Sequence, residues 1–313
     1  MAAKATREAF GEALVALGEK NPSIVALDAD LSKSTMTAAF AKKFPKRHFD
    51  FGIAEQNMIG AAAGLALSGK IPFAASFACF LVGRLEPIRI AVAYNDSNVK
   101  LVGTHAGLGI GEDGTSQMGL EDVGALRSLP GMVILQPADA VETVQAVEWA
   151  AEHRGPVYLR LTRQKMEDVH APDYKFEAGK ADVLWTSEGA SHFQATIFAS
   201  GGPVPQALAA ARDLRSRGFH ARLVNCCSLA PFDSDAVARA AQDSERLVCV
   251  EDHNVVGALG SAVCEAAASR GLGVPVVRLG TRSFGESATA AELYEKYGLS
   301  ADHIIEACLR PLG

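Results

Sequence analysis

Long hydrophobic runs, a disulfide framework and basic tracts are all missing from this chain of 313 residues. The longest nearly apolar run, Ile71 to Gly83, contains Pro72 and Ser76 and falls short of the roughly 20 residues a bilayer crossing needs, so no membrane role is expected. The opening MAAKATREAF has no apolar stretch of the kind a secretory signal requires. Six cysteines, at 79, 226, 227, 249, 264 and 308, show neither metal-ligand spacing nor the regular pattern of a secreted scaffold. Most lie in apolar strand-like or helix-like patterns and read as buried free thiols in a reducing cytoplasm. A net charge of −6 argues against nucleic acid as a partner, although a local arginine pocket can still hold a small anion.

What is present is apolar side chain in quantity: 49% of residues are hydrophobic and 21% charged. That suits a soluble globular chain, and its length suits two domains, each with a core. Short, nearly continuous apolar runs stand at 24–29, 71–76, 99–104, 132–136 and 157–161, as strands buried on both faces require. Helical patterns lie between them near 5–19, 54–68, 84–94 and 139–153. The alternation predicts an α/β domain with a mostly parallel sheet flanked by helices over residues 1–165. A polar stretch with Pro and Gly, 166–181, reads as a linker. Residues 182–313 repeat the alternation as a second, smaller α/β domain, ending in a helix near 291–310.

Ligands of open parallel sheets sit beyond the carboxyl ends of the strands. The residues following the first-domain strands are therefore the ones to watch: Asp28, Asp30 and Ser34; Phe77 and Phe80; the loop THAGLGIGEDGTSQM at 104–118; and Arg163. The loop is long for a compact domain, its glycines permit close backbone approach, and His105, Glu112, Asp113, Ser116 and Gln117 offer hydrogen bonds. It has neither Walker A nor dinucleotide-fingerprint spacing. Glu55, in FGIAEQNM, opens an apolar helical run. It is either an acid favoured at a helix start or a carboxyl held in a dry place for proton exchange. Phe77 and Phe80 are core, or a flat wall for a heteroaromatic ring. Arg7 and Arg163 are surface residues or phosphate forks. His253, after a second-domain strand, reads as a helix cap.

Taken in order, ATREAFGEAL, LDADLSKST, FGIAEQNM, PFAASFACF, THAGLGIGEDGTSQM, QPADAVET, LRLTRQ and VEDHNVVGALG resemble the C-terminal half of the transketolase family of thiamine diphosphate enzymes, over essentially the whole chain. The resemblance implies a pyrimidine-binding domain followed by a C-terminal domain. It implies that Glu55 bonds the ring nitrogen of the cofactor's aminopyrimidine, with Asp30, Ile53, Phe77, Phe80 and Gln117 around that ring. It also implies that His105 and Asp113 bind sugar hydroxyls, His105 with a catalytic part as well, and that Arg7, Ser34 and Arg163 hold the acceptor's phosphate or another anionic tail. No role attaches to Gly83 or Arg84.

One departure has consequences. The GDG motif and distant Asn that bind Mg2+ and the diphosphate in the family's N-terminal domain are missing. The resemblance then implies one subunit of a split transketolase, with an N-terminal partner chain supplying most of the Mg2+ and diphosphate site. It implies homodimerisation of this chain within a heterotetramer, a site at the subunit interface, and transfer of a two-carbon ketol unit between sugar phosphates. An initiator Met1 with a helix close behind it fits a separately encoded subunit. Deoxyxylulose phosphate synthase-like and 2-oxoacid dehydrogenase beta-type subunits share the architecture, but GEDGTSQM and LTRQ argue against them. A non-catalytic subunit has no chemical need for Glu55, His105, Asp113 and Arg163 together. The second domain is expected to supply dimer contacts and no part of the catalysis.

Overall fold

The computed structural model describes residues 3–311, and among these twelve strands form two sheets. In the first domain they are β1 (Ile24–Asp28), β2 (His48–Asp50), β3 (Ile71–Phe77), β4 (Lys100–Thr104), β5 (Val133–Leu135) and β6 (Val157–Arg160). In the second they are β7 (Asp182–Thr186), β8 (Ala195–Ser200), β9 (Ala221–Asn225), β10 (Ser228–Ala230), β11 (Leu247–Asn254) and β12 (Val276–Thr281). The first sheet runs β10-β5-β6-β4-β3-β1-β2 and the second β12-β11-β8-β9-β7. Pairing is parallel except where β10 meets β5 and β7 meets β9. The mostly parallel α/β architecture expected from the sequence is therefore present in both halves.

The apolar runs form central strands because both faces are covered. On one face of the first sheet Thr6–Lys20 and Ala140–Glu152 pack Phe10, Leu14, Ala146, Val147 and Ala150 against β1, β3 and β6. Ala140–Glu152 starts at Asp139, whose Oδ1 accepts the Glu142 N–H at 2.8 Å, a helix cap. On the other face Glu55–Leu67 contributes Met58, Ile59 and Ala62 to a core that continues without a break into Phe198, Val224 and Leu259 of the second half. The two halves are thus fused through shared apolar packing.

Several elements differ from the sequence expectation. The helix expected at 84–94 is a short turn, Leu85–Pro87, running into a π-helical segment, Ile88–Ala93, because Pro87 interrupts the regular ladder. The terminal helix is two, Ala290–Lys296 and Ala301–Leu309, with Gly298 at φ 75° between them. Strands β2 and β10 have three residues each, too few to register as periodic patterns. The polar stretch read as a linker is docked. Val169 and His170 donate their N–H groups to Asp139 Oδ2 at 2.8 Å, and the His170 ring lies between Asp139 (2.8 Å) and Asp182 (3.3 Å). Burial disfavours charge on His170, but the hydrogen bonds to Asp139 and Asp182 and the nearby Glu142 push its pKa up to about 10.

Candidate active site

Strands β6, β4, β3 and β1 are consecutive neighbours in the sheet and parallel, so the segments that leave their carboxyl ends meet along one edge. This brings Ser34, Phe77, His105 and Arg163 to one edge; Arg7, at the start of the helix before β1, and Glu55, at the start of the helix after β2, reach the same edge through His105 and Ser76.

Glu55 is the first residue of its helix and only 4% exposed. Its Oε1 accepts a hydrogen bond from Ser76 Oγ at 3.2 Å, Ser76 lying fully buried on β3. Beside it Phe77 and Phe80 stack with ring centroids 5.4 Å apart and 6° between planes, because strand β3 ends at Phe77 and the short helix Ala78–Val82 turns Phe80 back over it. The other face of Phe77 carries the His105 ring at 3.8 Å. Ile53 is 86% exposed, and Asp30 is exposed with φ 61°, its N–H bonded to Asp50 Oδ1. Both stand at an open rim, so this chain supplies a wall and leaves the opposite side uncovered. Gln117 is half-buried, and its carbonyl accepts the Cys79 thiol.

His105, at φ 56°, is buried, and its hydrogen bonds fix its tautomer. Arg7 Nη1 lies 2.9 Å from Nε2, and a guanidinium only donates, so Nε2 is the acceptor. Nδ1 then carries the proton and donates to Thr104 Oγ1 at 2.9 Å, while that hydroxyl donates to the Ser76 carbonyl at 3.3 Å. Burial, then Arg7 and Arg163, depress the His105 pKa to about 3, so the ring is neutral at any working pH. In this tautomer Nε2 presents a lone pair. That lone pair, here taken by Arg7, is an acceptor and has no proton to donate.

The three residues expected around an anion are close together but already engaged. Arg7 Nη1 also bonds the Ser34 carbonyl at 2.8 Å, and its buried Nε has no partner among the described residues. Ser34 thus meets Arg7 through its main chain and not its hydroxyl. Arg163 Nη1 reaches Asp113 Oδ1 at 3.0 Å and the Ile110 carbonyl at 2.8 Å. Asp113, expected to meet sugar hydroxyls, is paired with Arg163. That pair is about one-third exposed on each side and correspondingly weak. An entering anion would exchange a carbonyl and a carboxylate for a stronger partner.

Sequence reasoning passed over Ser76 and Thr104, which link Glu55 to His105. The signal was Ser76, the lone polar side chain inside β3, and Thr104, the hydroxyl that ends β4. Asp28, watched as a strand-end residue, is a buried carboxylate that accepts from Thr35 (2.7 Å), Thr37 (2.9 Å) and the Leu31 N–H (2.5 Å) and so shapes the turn carrying Ser34. His253 caps not the helix that follows it but the first turn of Asp122–Arg127 in the other domain. Buried, it donates from Nδ1 to the Asn254 carbonyl at 2.7 Å and accepts the Gly124 N–H at Nε2 (3.3 Å).

Comparison with known proteins points the same way. The family pattern "Transketolase, pyrimidine binding domain" matches residues 2–168, and "Transketolase, C-terminal domain" matches residues 188–304. The chain is 43% identical over 313 residues to a Methanocaldococcus jannaschii protein described as a transketolase C-terminal section, covering 99% of this chain and 96% of that one. It is 39% identical over 303 residues to "6-deoxy-6-sulfo-D-fructose transketolase subunit SqwH" of Clostridium sp. (strain MSTE9), covering 96% and 92%. Among solved structures, "Split gene transketolase, inactive beta4 tetramer" superposes with a TM-score of 0.87 at 44% identity, covering 98% of this chain and 97% of that one.

Proposed function

This chain belongs to the transketolase family, and on that premise we propose that it is the C-terminal subunit of a split transketolase that moves a two-carbon ketol unit between anionic sugars. The carrying observation is the buried Glu55 carboxyl beside the stacked Phe77–Phe80 pair at an open rim. A buried acid, a flat aromatic wall and an uncovered side fit an aminopyrimidine ring entering from that side. Thiamine diphosphate, when bound, supplies the carbon nucleophile for ketol transfer.

In this reading Glu55 Oε1, steadied by Ser76, holds a proton against the pyrimidine ring nitrogen, and burial keeps water from competing for it. Ile53, Asp30 and Gln117 frame the ring. The His105 lone pair accepts a donor-sugar hydroxyl once Arg7 swings toward an anion, so anionic tail and hydroxyl are sensed together. Arg7, Ser34 and Arg163 form the anion end, with Asp113 released from Arg163 to meet hydroxyls. A sulfonate suits that end as a phosphate does, and the SqwH relative is named for a sulfosugar.

The diphosphate and Mg2+ are assigned to an N-terminal partner chain, because the Gly-Asp-Gly motif that would bind them is missing from this sequence. The solved split-gene relative is an inactive tetramer of beta chains, which supports both self-association of this half and its need for a partner. Exposed apolar residues, Ile53 (86%) at the rim and Leu67 (82%) and Tyr94 (82%) toward the other edge of the sheet, suit subunit contacts. A heterotetramer of two chains of each kind satisfies both demands. Residues 1–165 then act as the pyrimidine domain, 166–181 as the connection and 182–313 as the C-terminal domain. Six cysteines without a disulfide suit a reducing cytoplasm, and among the described residues no helix is long and apolar enough to cross a membrane.

The test is titration calorimetry of thiamine diphosphate with Mg2+, on this chain alone and with its partner. Binding is expected only for the pair, with ketol transfer lost in Glu55→Ala. Tight binding by this chain alone, or full activity of Glu55→Ala, defeats the reading.

A further inference from the structure

The second sheet has its own switch point. β8 continues toward β9 on one side and β11 toward β12 on the other, so a crevice opens beyond the carboxyl ends of β8 and β11. Doubly wound sheets bind ligands in such a place. Here the crevice holds part of the first domain. Asp252 on β11, 1% exposed, accepts the Leu108 N–H at Oδ1 (2.6 Å) and the Gly109 N–H at Oδ2 (3.0 Å). The Tyr294 hydroxyl donates to the same Oδ2 at 2.9 Å and accepts Gln164 Nε2 at 2.8 Å. The fit is close: a Cβ on Gly107, which sits at φ 79°, would lie 2.2 Å from Asp252 Oδ2, and one on Gly202 would lie 2.5 Å from the Tyr294 hydroxyl. Farther along, the Asn254 N–H donates to the Leu120 carbonyl at 2.8 Å, and Ser287 Oγ donates to the Glu112 carbonyl.

We propose that the 104–118 loop is the bound ligand of the second domain's crevice, and that Asp252 is a positioning residue for the substrate side of the site, acting through the loop's main chain. The proposal rests on the reading that this loop meets the sugar. It gives the second domain a part in substrate binding that the sequence did not disclose. Asp252 does not touch the Glu55–Phe77–Phe80 wall. Its two carboxylate oxygens fix adjacent amides three and four residues after His105 and four residues before Asp113, so both side chains take their positions from one buried acceptor. A carboxylate accepts at both oxygens; an amide in its place must offer an NH2 toward at least one N–H that needs an acceptor.

Two measurements on Asp252→Asn test this, in the full chain and with its partner. Hydrogen exchange of the chain alone should accelerate about tenfold or more at the Leu108 and Gly109 amides, as loss of a hydrogen bond to a charged group implies, with the β1 and β8 amides unchanged. With the partner, KM for the donor sugar should rise about tenfold while the cofactor Kd stays within about twofold. Tyr294→Phe, a milder change at the same carboxylate, should shift both readouts the same way by a few fold, and it serves alone if Asp252→Asn does not fold. Unchanged loop exchange, or acceleration spread evenly over both domains, overturns the proposal. A KM equal to wild type with a weakened cofactor Kd overturns it as well. If the wild-type pair transfers no ketol unit, the functional reading fails, and the exchange measurement still decides whether Asp252 holds the loop.

Discussion

Replacing Asp122 by Asn isolates the most deeply buried charge pair of the described residues. Arg160 Nε donates to Asp122 Oδ2 at 2.8 Å, and the two side chains are 1% and 0% exposed. The Tyr158 hydroxyl donates to the same oxygen at 2.6 Å, and Arg160 Nη2 donates to the Gly119 (2.8 Å) and Asp252 (3.0 Å) carbonyls. The arginine therefore joins strand β6, the 104–118 loop's exit and the second domain. Asparagine fills the same volume but leaves the guanidinium without a counter-charge. Breaking such a pair costs about 3–5 kcal/mol. That is a large share of the roughly 5–15 kcal/mol that separates folded from unfolded chains, and lowers Tm on the order of 10 °C. Asp122→Leu with Arg160→Met removes both charges and should recover most of the loss. Urea unfolding of the wild type, the single variant and the double variant supplies the numbers. A loss below about 1 kcal/mol in Asp122→Asn, or a double variant worse than the single, would refute the argument that this pair is desolvated and coupled.

Other outcomes are equally definite. Burial depresses the His253 pKa to about 4, so its contribution is present above the unfolded value of 6.5 and is lost as pH falls from there toward 4. His170, raised to about 10, contributes fully below 6.5 and loses its contribution as pH climbs toward 10; thermal melts across pH should show both limbs, and His170→Asn should flatten the alkaline one. The His105 ring resonances should not titrate between pH 8 and 5 in the isolated chain; a midpoint in that range would contradict the Arg7–His105–Thr104 arrangement. Native thiol labelling should reach Cys264 first, since Cys79 is pushed up to about 12 by burial and the other four cysteines are buried; all six should react only after denaturation.

Glu55, the two phenylalanines and the glycine loop could be singled out from sequence because each breaks a local rule. An acid opens an apolar run, aromatics follow a strand end, and a long loop sits where compact domains keep loops short. Alternating apolar runs fixed the α/β class for the equally local reason that strands covered on both faces cannot alternate. Pairing and coverage are not local. Nothing in the spacing of Arg7 and His105 says that their side chains meet at 2.9 Å, or that Asp113 faces Arg163. That follows from the neighbour order β6-β4-β3-β1, which is decided by how crossovers pack. The sequence placed Asp252 and His253 in a domain of dimer contacts, and only the packed structure set them against the first domain's loop and helix. A buried carboxylate finds its partners wherever the fold leaves N–H groups without acceptors, and those groups lie 143 and 144 residues away along the chain.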